Sequence, residues 1–206
     1  MTRIGTLALL ALLPLGCAQK AAPPAAADAG APLQKQAAPT AVQDGPTYAP
    51  DGSLILPSDY RSWIFLSAGI DMSYSERPAP AGQSVFDNVF VNPSAYQSFL
   101  KTGTWPEPTV FILEKRVAAN KGSINLSGHY QTETLAGMEA HVKDARFPGQ
   151  WAFFHFNDAG QGALIPRPAD CYTCHEQHAA VDTTFVQFYP TLIPIAQQHG
   201  TYHPGQ

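Results

Sequence analysis

Near its C-terminus the chain reads Cys171-Tyr172-Thr173-Cys174-His175. On a helical turn two thiols at this spacing lie on one face, where each can add to one vinyl group of a porphyrin. The adjacent histidine then falls under the iron as an axial ligand. C-x-x-C-H is the attachment pattern of a c-type haem. One covalent haem c per chain is therefore expected, held through Cys171 and Cys174, with His175 as the proximal iron ligand. Three other chemistries share part of the pattern. A zinc half-site needs a second Cys/His pair, and the one remaining cysteine is Cys17. A thioredoxin-like redox pair opens a helix directly after a buried strand, whereas Pro166-Arg167-Pro168-Ala169-Asp170 precedes this one. A plain disulfide leaves His175 without a role. Attachment of haem c takes place outside the cytoplasm, so a mark of export favours haem over the others.

The N-terminus supplies such a mark. Residues Met1 to Gly16 carry one early positive charge, Arg3, followed by an apolar run too short to span a bilayer as a mature helix. The run ends in Leu15-Gly16-Cys17, which resembles a bacterial lipobox, although Pro14 replaces the usual aliphatic residue. Residues 1–17 are expected to be a signal peptide, with Cys17 lipidated and the protein tethered to a membrane on the periplasmic side of a bacterium. Ordinary signal-peptidase cleavage is the alternative. From Ala18 to about Pro50 the composition turns to Ala, Pro, Gln and Asp with no strand or helix period. Such a stretch buries too little apolar area to offset the entropy of ordering it, and reads as a disordered linker.

Residues 51–206 are left as one folded domain. Of the 206 residues only 14% are charged and 45% are hydrophobic, which permits a sizeable core. Twelve Lys+Arg against sixteen Asp+Glu, with no basic block, removes the electrostatic basis for nucleic-acid binding. Strands are expected at Trp63 to Ala68, Phe86 to Val91, Thr109 to Val117 and Trp151 to Asn157, and more weakly at Ile124 to Gln131, which Gly128 interrupts. Pro57 to Arg61 reads as a short helical turn. A helix follows Asn92-Pro93-Ser94, with Tyr96, Phe99 and Leu100 on one face and Gly103 at its end. A second helix is expected from Leu135 to Ala145 on the spacing of Leu135, Met138 and Val142. Thr183 to Gln198 is expected to be helical near Phe185 to Tyr189 and to be bent or ended by Pro190 and Pro194. The class is α+β: a predominantly antiparallel β-sheet domain with a few helices and the haem site near the C-terminus.

What the iron does depends on its sixth position. An electron-transfer cytochrome fills it with Met or His. Met72, Met138, His129, His141, His155, His178, His199 and His203 are available. Most have plainer explanations: Met138 fits the apolar side of its expected helix, His178 follows the motif too closely to reach the opposite haem face, and His155 alternates with Phe154 and Phe156 toward solvent.

Several separated segments also resemble the cytochrome P-460 family, which includes the cytochrome c'-beta proteins. They are Leu56-Pro57-Ser58-Asp59-Tyr60-Arg61-Ser62-Trp63, Val89-Phe90-Val91-Asn92-Pro93-Ser94-Ala95-Tyr96 with Lys101-Thr102-Gly103, Thr109-Val110-Phe111, Glu139-Ala140-His141-Val142-Lys143-Asp144, Trp151-Ala152-Phe153-Phe154, Cys171 to His175 and Phe188-Tyr189-Pro190-Thr191-Leu192. The resemblance spans about Gly52 to Leu192. It implies a homodimer, largely β, with an open distal haem face that binds NO or CO or oxidises hydroxylamine, served by a redox partner protein. His175 is then the proximal ligand.

Two departures bear on activity. Hydroxylamine-oxidising members carry a lysine bonded to the porphyrin, and the resemblance puts Leu113 at that position, with Lys115 two residues on and on the same strand face. The family's active members also have a distal carboxylate shortly before the haem motif, and Gly160 to Ile165 offers none. A distal pocket walled by Phe90, Phe111 and Leu113 would lack a base, whose contribution is typically about 10²–10⁴-fold. It would admit neutral diatomics while penalising charged species. Two outcomes stay open for enzyme activity: a hydroxylamine or NO oxidoreductase, or gas binding without turnover. A six-coordinate electron-transfer cytochrome c is the alternative to both.

Overall fold

The computed structural model describes residues 44–73 and 83–204. The expected leader, Cys17 and most of the expected linker lie outside the described residues. Eight strands form one sheet in the order β1-β2-β8-β7-β6-β5-β4-β3. They are β1 (Thr47–Tyr48), β2 (Leu54–Ile55), β3 (Ile64–Ile70), β4 (Val85–Val91), β5 (Thr109–Ala119), β6 (Tyr130–Lys143), β7 (Trp151–Phe156) and β8 (Gln161–Leu164). Every pairing is antiparallel. Among the described residues three α-helices accompany it: α1 (Pro93–Thr102), α2 (Asp170–His178) and α3 (Ile193–Gln198). The α+β class holds.

Both sheet faces are covered, and each has its own core. On one face Phe111, Val91, Leu66 and Trp151 pack with Phe99 of α1, Ala196 of α3 and Val181, Val186, Tyr189 and Leu192 from the segment between α2 and α3. On the other, Val110, Ile112, Met138, Ala140, Val142, Ala152 and Phe154 pack under Leu54, Tyr60 and Trp63. The faces are called the helix face and the N-terminal face below.

This two-sided burial explains the largest departure from expectation. Residues 135–143 belong to β6, not to a helix. Met138, Ala140, His141 and Val142 are all buried, because their strand is covered on both sides. A strand so covered loses the alternation that marks it, and its apolar positions then fit a helical spacing equally well. Ile124 to His129 is the connection leading into β6 rather than a strand; Ile124 is 94% exposed, and Gly128 takes a left-handed φ of 83°. Pro194 does not end a helix but stands in the first turn of α3, where its missing N–H costs nothing.

The helix over 93–102 stands, closed by Gly103 at φ 69° with its N–H donating to Phe99 O. Its cap comes from elsewhere. Asn92 makes no capping bond; its Oδ1 accepts from Val110 N at 2.8 Å. Asp44 caps instead, its carboxylate accepting from Ser94 N at 2.7 Å and Ser94 Oγ at 2.5 Å. Residues 44–50 are thus part of the packed domain rather than of a linker ending at Pro50: Asp44 is buried, and Tyr48 packs on Phe147 and Phe154.

Candidate functional site

Helix α2 carries Cys171, Cys174 and His175, with both cysteines free and half-buried. Positions i, i+3 and i+4 share a helix face, so thiols and imidazole are presented together. Tyr172 points inward between them. Its hydroxyl donates to Ile165 O at 2.8 Å and accepts from Phe153 N at 3.3 Å, and Arg167 stacks on its ring at 4.0 Å. These contacts fasten α2 to β7 and the end of β8. Burial pushes the Cys171 thiol up, so it stays protonated at neutral pH.

The His175 ring lies among Phe185 (4.1 Å), Phe153 (4.7 Å) and His141 (4.9 Å, edge-on). Its Nδ1 is 2.7 Å from Thr183 O. A carbonyl only accepts, so Nδ1 holds the ring proton and Nε2 keeps its lone pair. Burial holds the His175 pKa below its ordinary value, favouring the neutral form that binds metal. This donor set fits a thioether-linked haem: two unpaired thiols on one turn, and an imidazole whose tautomer leaves Nε2 for iron. It does not favour zinc. Among the described residues no group of three or more His, Cys, Asp or Glu converges to hold a metal ion.

Strand register places the expected pocket residues. Phe111, Leu113 and Lys115 alternate on the helix face, where Phe111 pairs with His141 and Leu113 with Glu139. Phe111 is buried among Trp105, Trp151 and Tyr189, and Leu113 is half-buried. Phe90 is not with them. It pairs with Ile112 and packs on Tyr60 at 5.7 Å in the N-terminal-face core. Neighbouring residues directly opposite in register share a face, and Ile112 faces away from Phe111. One wall of Phe90, Phe111 and Leu113 therefore does not exist.

The helix face is also not purely apolar. Lys115 Nζ donates to Glu139 Oε1 at 2.7 Å, and Asp87 lies opposite Lys115 on β4. Asp87 has its pKa raised, chiefly by burial, with Glu139 adding to the rise and Lys115 opposing it. Glu139 is close enough to perturb both Cys171 and His175. The helix face thus carries carboxylates from β4 and β6, whereas Gly160 to Ile165 offers none. A helix over 135–145 would not set Glu139 beside Leu113; the pairing of β5 with β6 does.

Of the candidate sixth ligands, Met138 is buried in the opposite core, and His141 packs against His175 itself. His155 is exposed, as expected, but it shares the helix face with Phe153 and pairs with Glu139. On the N-terminal face, the buried Glu114 accepts from Tyr60 Oη at 2.5 Å, Arg116 Nε at 2.6 Å and Asn88 Nδ2 at 3.3 Å, and pairs with Arg61. That network ties the N-terminal segment to the sheet.

A family model described as Cytochrome P460 matches residues 57–186, a span that includes β3 to β8, α1 and α2. No curated protein matches the chain.

Proposed function

The chain belongs to the cytochrome P460 family and is a mono-haem cytochrome, and we propose that it is an exported c-type member whose open iron site binds NO or CO. The observation that carries this reading is the pairing of two free thiols on one turn of α2 with a His175 imidazole whose Nδ1 is committed to Thr183 O. Cys171 and Cys174 would hold the porphyrin, and His175 Nε2 would hold the iron. The haem would supply an iron centre able to bind a small ligand. Leu113, half-buried and non-ligating on the helix face of the sheet, would favour a neutral diatomic over a charged species. Export follows from the leader, with a lipid at Cys17 as membrane anchor and a periplasmic location. The chain works as a homodimer and exchanges electrons with a redox partner protein.

The decisive measurement is optical. Protein matured in a competent periplasm keeps its colour through acidified acetone, and its dithionite-reduced spectrum shifts on adding NO or CO. A spectrum that ignores both gases overturns the open site, and extraction of the colour overturns the covalent link.

A second reading has its own observation. Glu139, beside Lys115 on the helix face, is a base of the kind hydroxylamine oxidation requires. Hydroxylamine-dependent reduction of an added acceptor, lost in Glu139→Gln, distinguishes turnover from gas binding alone. A six-coordinate carrier falls instead to His155: its resting spectrum would be low-spin, and His155→Ala would open it.

A further inference from the structure

The segment after α2 makes a tight turn at Val181–Thr184. Thr184 N donates to Val181 O at 2.9 Å and Val181 N to Thr184 O at 3.3 Å. Asp182 inside it takes φ 51°, a left-handed conformation that Asp tolerates better than most residues but still at a cost. Such a turn persists when its surroundings over-determine it. Here they do. Trp105 Nε1 donates to Thr184 Oγ1 at 2.8 Å, and Thr184 Oγ1 to Val181 O at 2.7 Å. Two alternate residues of β6, on one face of the strand, reach the middle of the turn. Lys143 Nζ donates to Asp182 Oδ2 at 3.1 Å and to Trp105 O at 2.9 Å, and His141 Nε2 lies 3.3 Å from Thr183 Oγ1.

Thr183 is therefore held at both ends. Its hydroxyl meets His141 on the sheet, and its carbonyl accepts from His175 Nδ1 at 2.7 Å. His141 is itself immobilised, stacked on Phe153 at 4.0 Å and 8°, with its ring 4.9 Å from that of His175. We infer that His141 and Thr183 are positioning residues for His175, forming one link from β6 that fixes the tautomer and ring plane of the axial imidazole. The link sets how strongly Nε2 donates to iron. An acceptor held firmly on Nδ1–H raises the basicity of the opposite nitrogen, and such outer partners typically change metal affinity or activity by about 10–100-fold when removed.

The inference rests on His175 being the iron ligand, and the experiment separates the two. Resonance Raman spectra of the reduced, haem-loaded protein report the iron–histidine stretch directly, and titration gives the midpoint potential. Thr183→Val removes the hydroxyl and keeps the shape; His141→Phe keeps the stack on Phe153 and removes the ring nitrogen. Each lowers the stretching frequency, raises the potential and increases the fraction of NO complex that has lost His175. Thr183→Ser returns the parent band. Because the two residues act through one link, the double variant shifts no further than the larger single shift. If His141→Phe fails to accumulate, the Thr183→Val and Thr183→Ser pair decides. A parent band that ignores Thr183→Val, or shifts that add in the double variant, overturns the link while leaving the haem assignment intact. A reduced parent that is five-coordinate and high-spin yet shows no iron–histidine band overturns His175 as ligand and the inference with it.

Discussion

Lys115 Nζ sits 2.7 Å from Glu139 Oε1, across two strands that share the helix face of the sheet. The lysine is half-buried and committed to a carboxylate, so it is neither a solvated strand-end charge nor a free nucleophile. Digestion of the mature protein should release the Lys115 peptide unmodified, with porphyrin mass only on the Cys171–His175 peptide. Porphyrin mass on a Lys115 fragment would show the ion pair broken in favour of a bond to the ring.

Phe90 and Leu113 are one strand apart but on opposite sheet faces, and their truncations should differ in kind. Phe90→Ala opens a cavity beside Tyr60 and costs stability, toward the lower end of the ~3–5 kcal/mol typical of such changes because the ring is only partly buried. It should leave NO affinity unchanged. Leu113→Ala should alter gas binding or release with a smaller effect on urea midpoint. Equal gas-binding changes in both variants would sink the two-face assignment.

Asp87 gives the sheet a pH signature. Its folded-state pKa is raised, chiefly by burial, so the folded protein favours its protonated form. The stabilisation it contributes is fully present below the ordinary carboxyl value of about 3.9 and is lost as pH rises through its folded pKa. At pH 7 the ionised group is a burden. Asp87→Asn should therefore unfold at higher urea than the parent at pH 7, with the difference shrinking as pH falls toward the ordinary value. A pH-independent difference would show that Lys115 cancels the effect of burial, and a less stable variant at pH 7 that Lys115 outweighs it.

Much of the fold was legible along the chain. β3, β4, β5 and β7 were expected within a few residues of where they lie, since their aromatic and β-branched runs are bounded by Pro, Gly or Asn. The helix over 93–102 was legible from its proline at the start and glycine at the end, although its cap, Asp44, was not: a carboxylate so distant in sequence leaves no local mark. β6 was misread because covering both faces of a strand erases the period by which strands are recognised.

The candidate site divides along the same line. Spacing alone put Cys171, Cys174 and His175 on one helix face, because one turn of helix suffices to join them. The tertiary structure decided their surroundings: that Phe90 faces away from Phe111, that Glu139 and Asp87 bring charge to the helix face, and that His141 meets Thr183 beside His175. Alternation tells which residues of a strand share a side. Which sides of different strands coincide is set by register between them, and that belongs to the folded sheet.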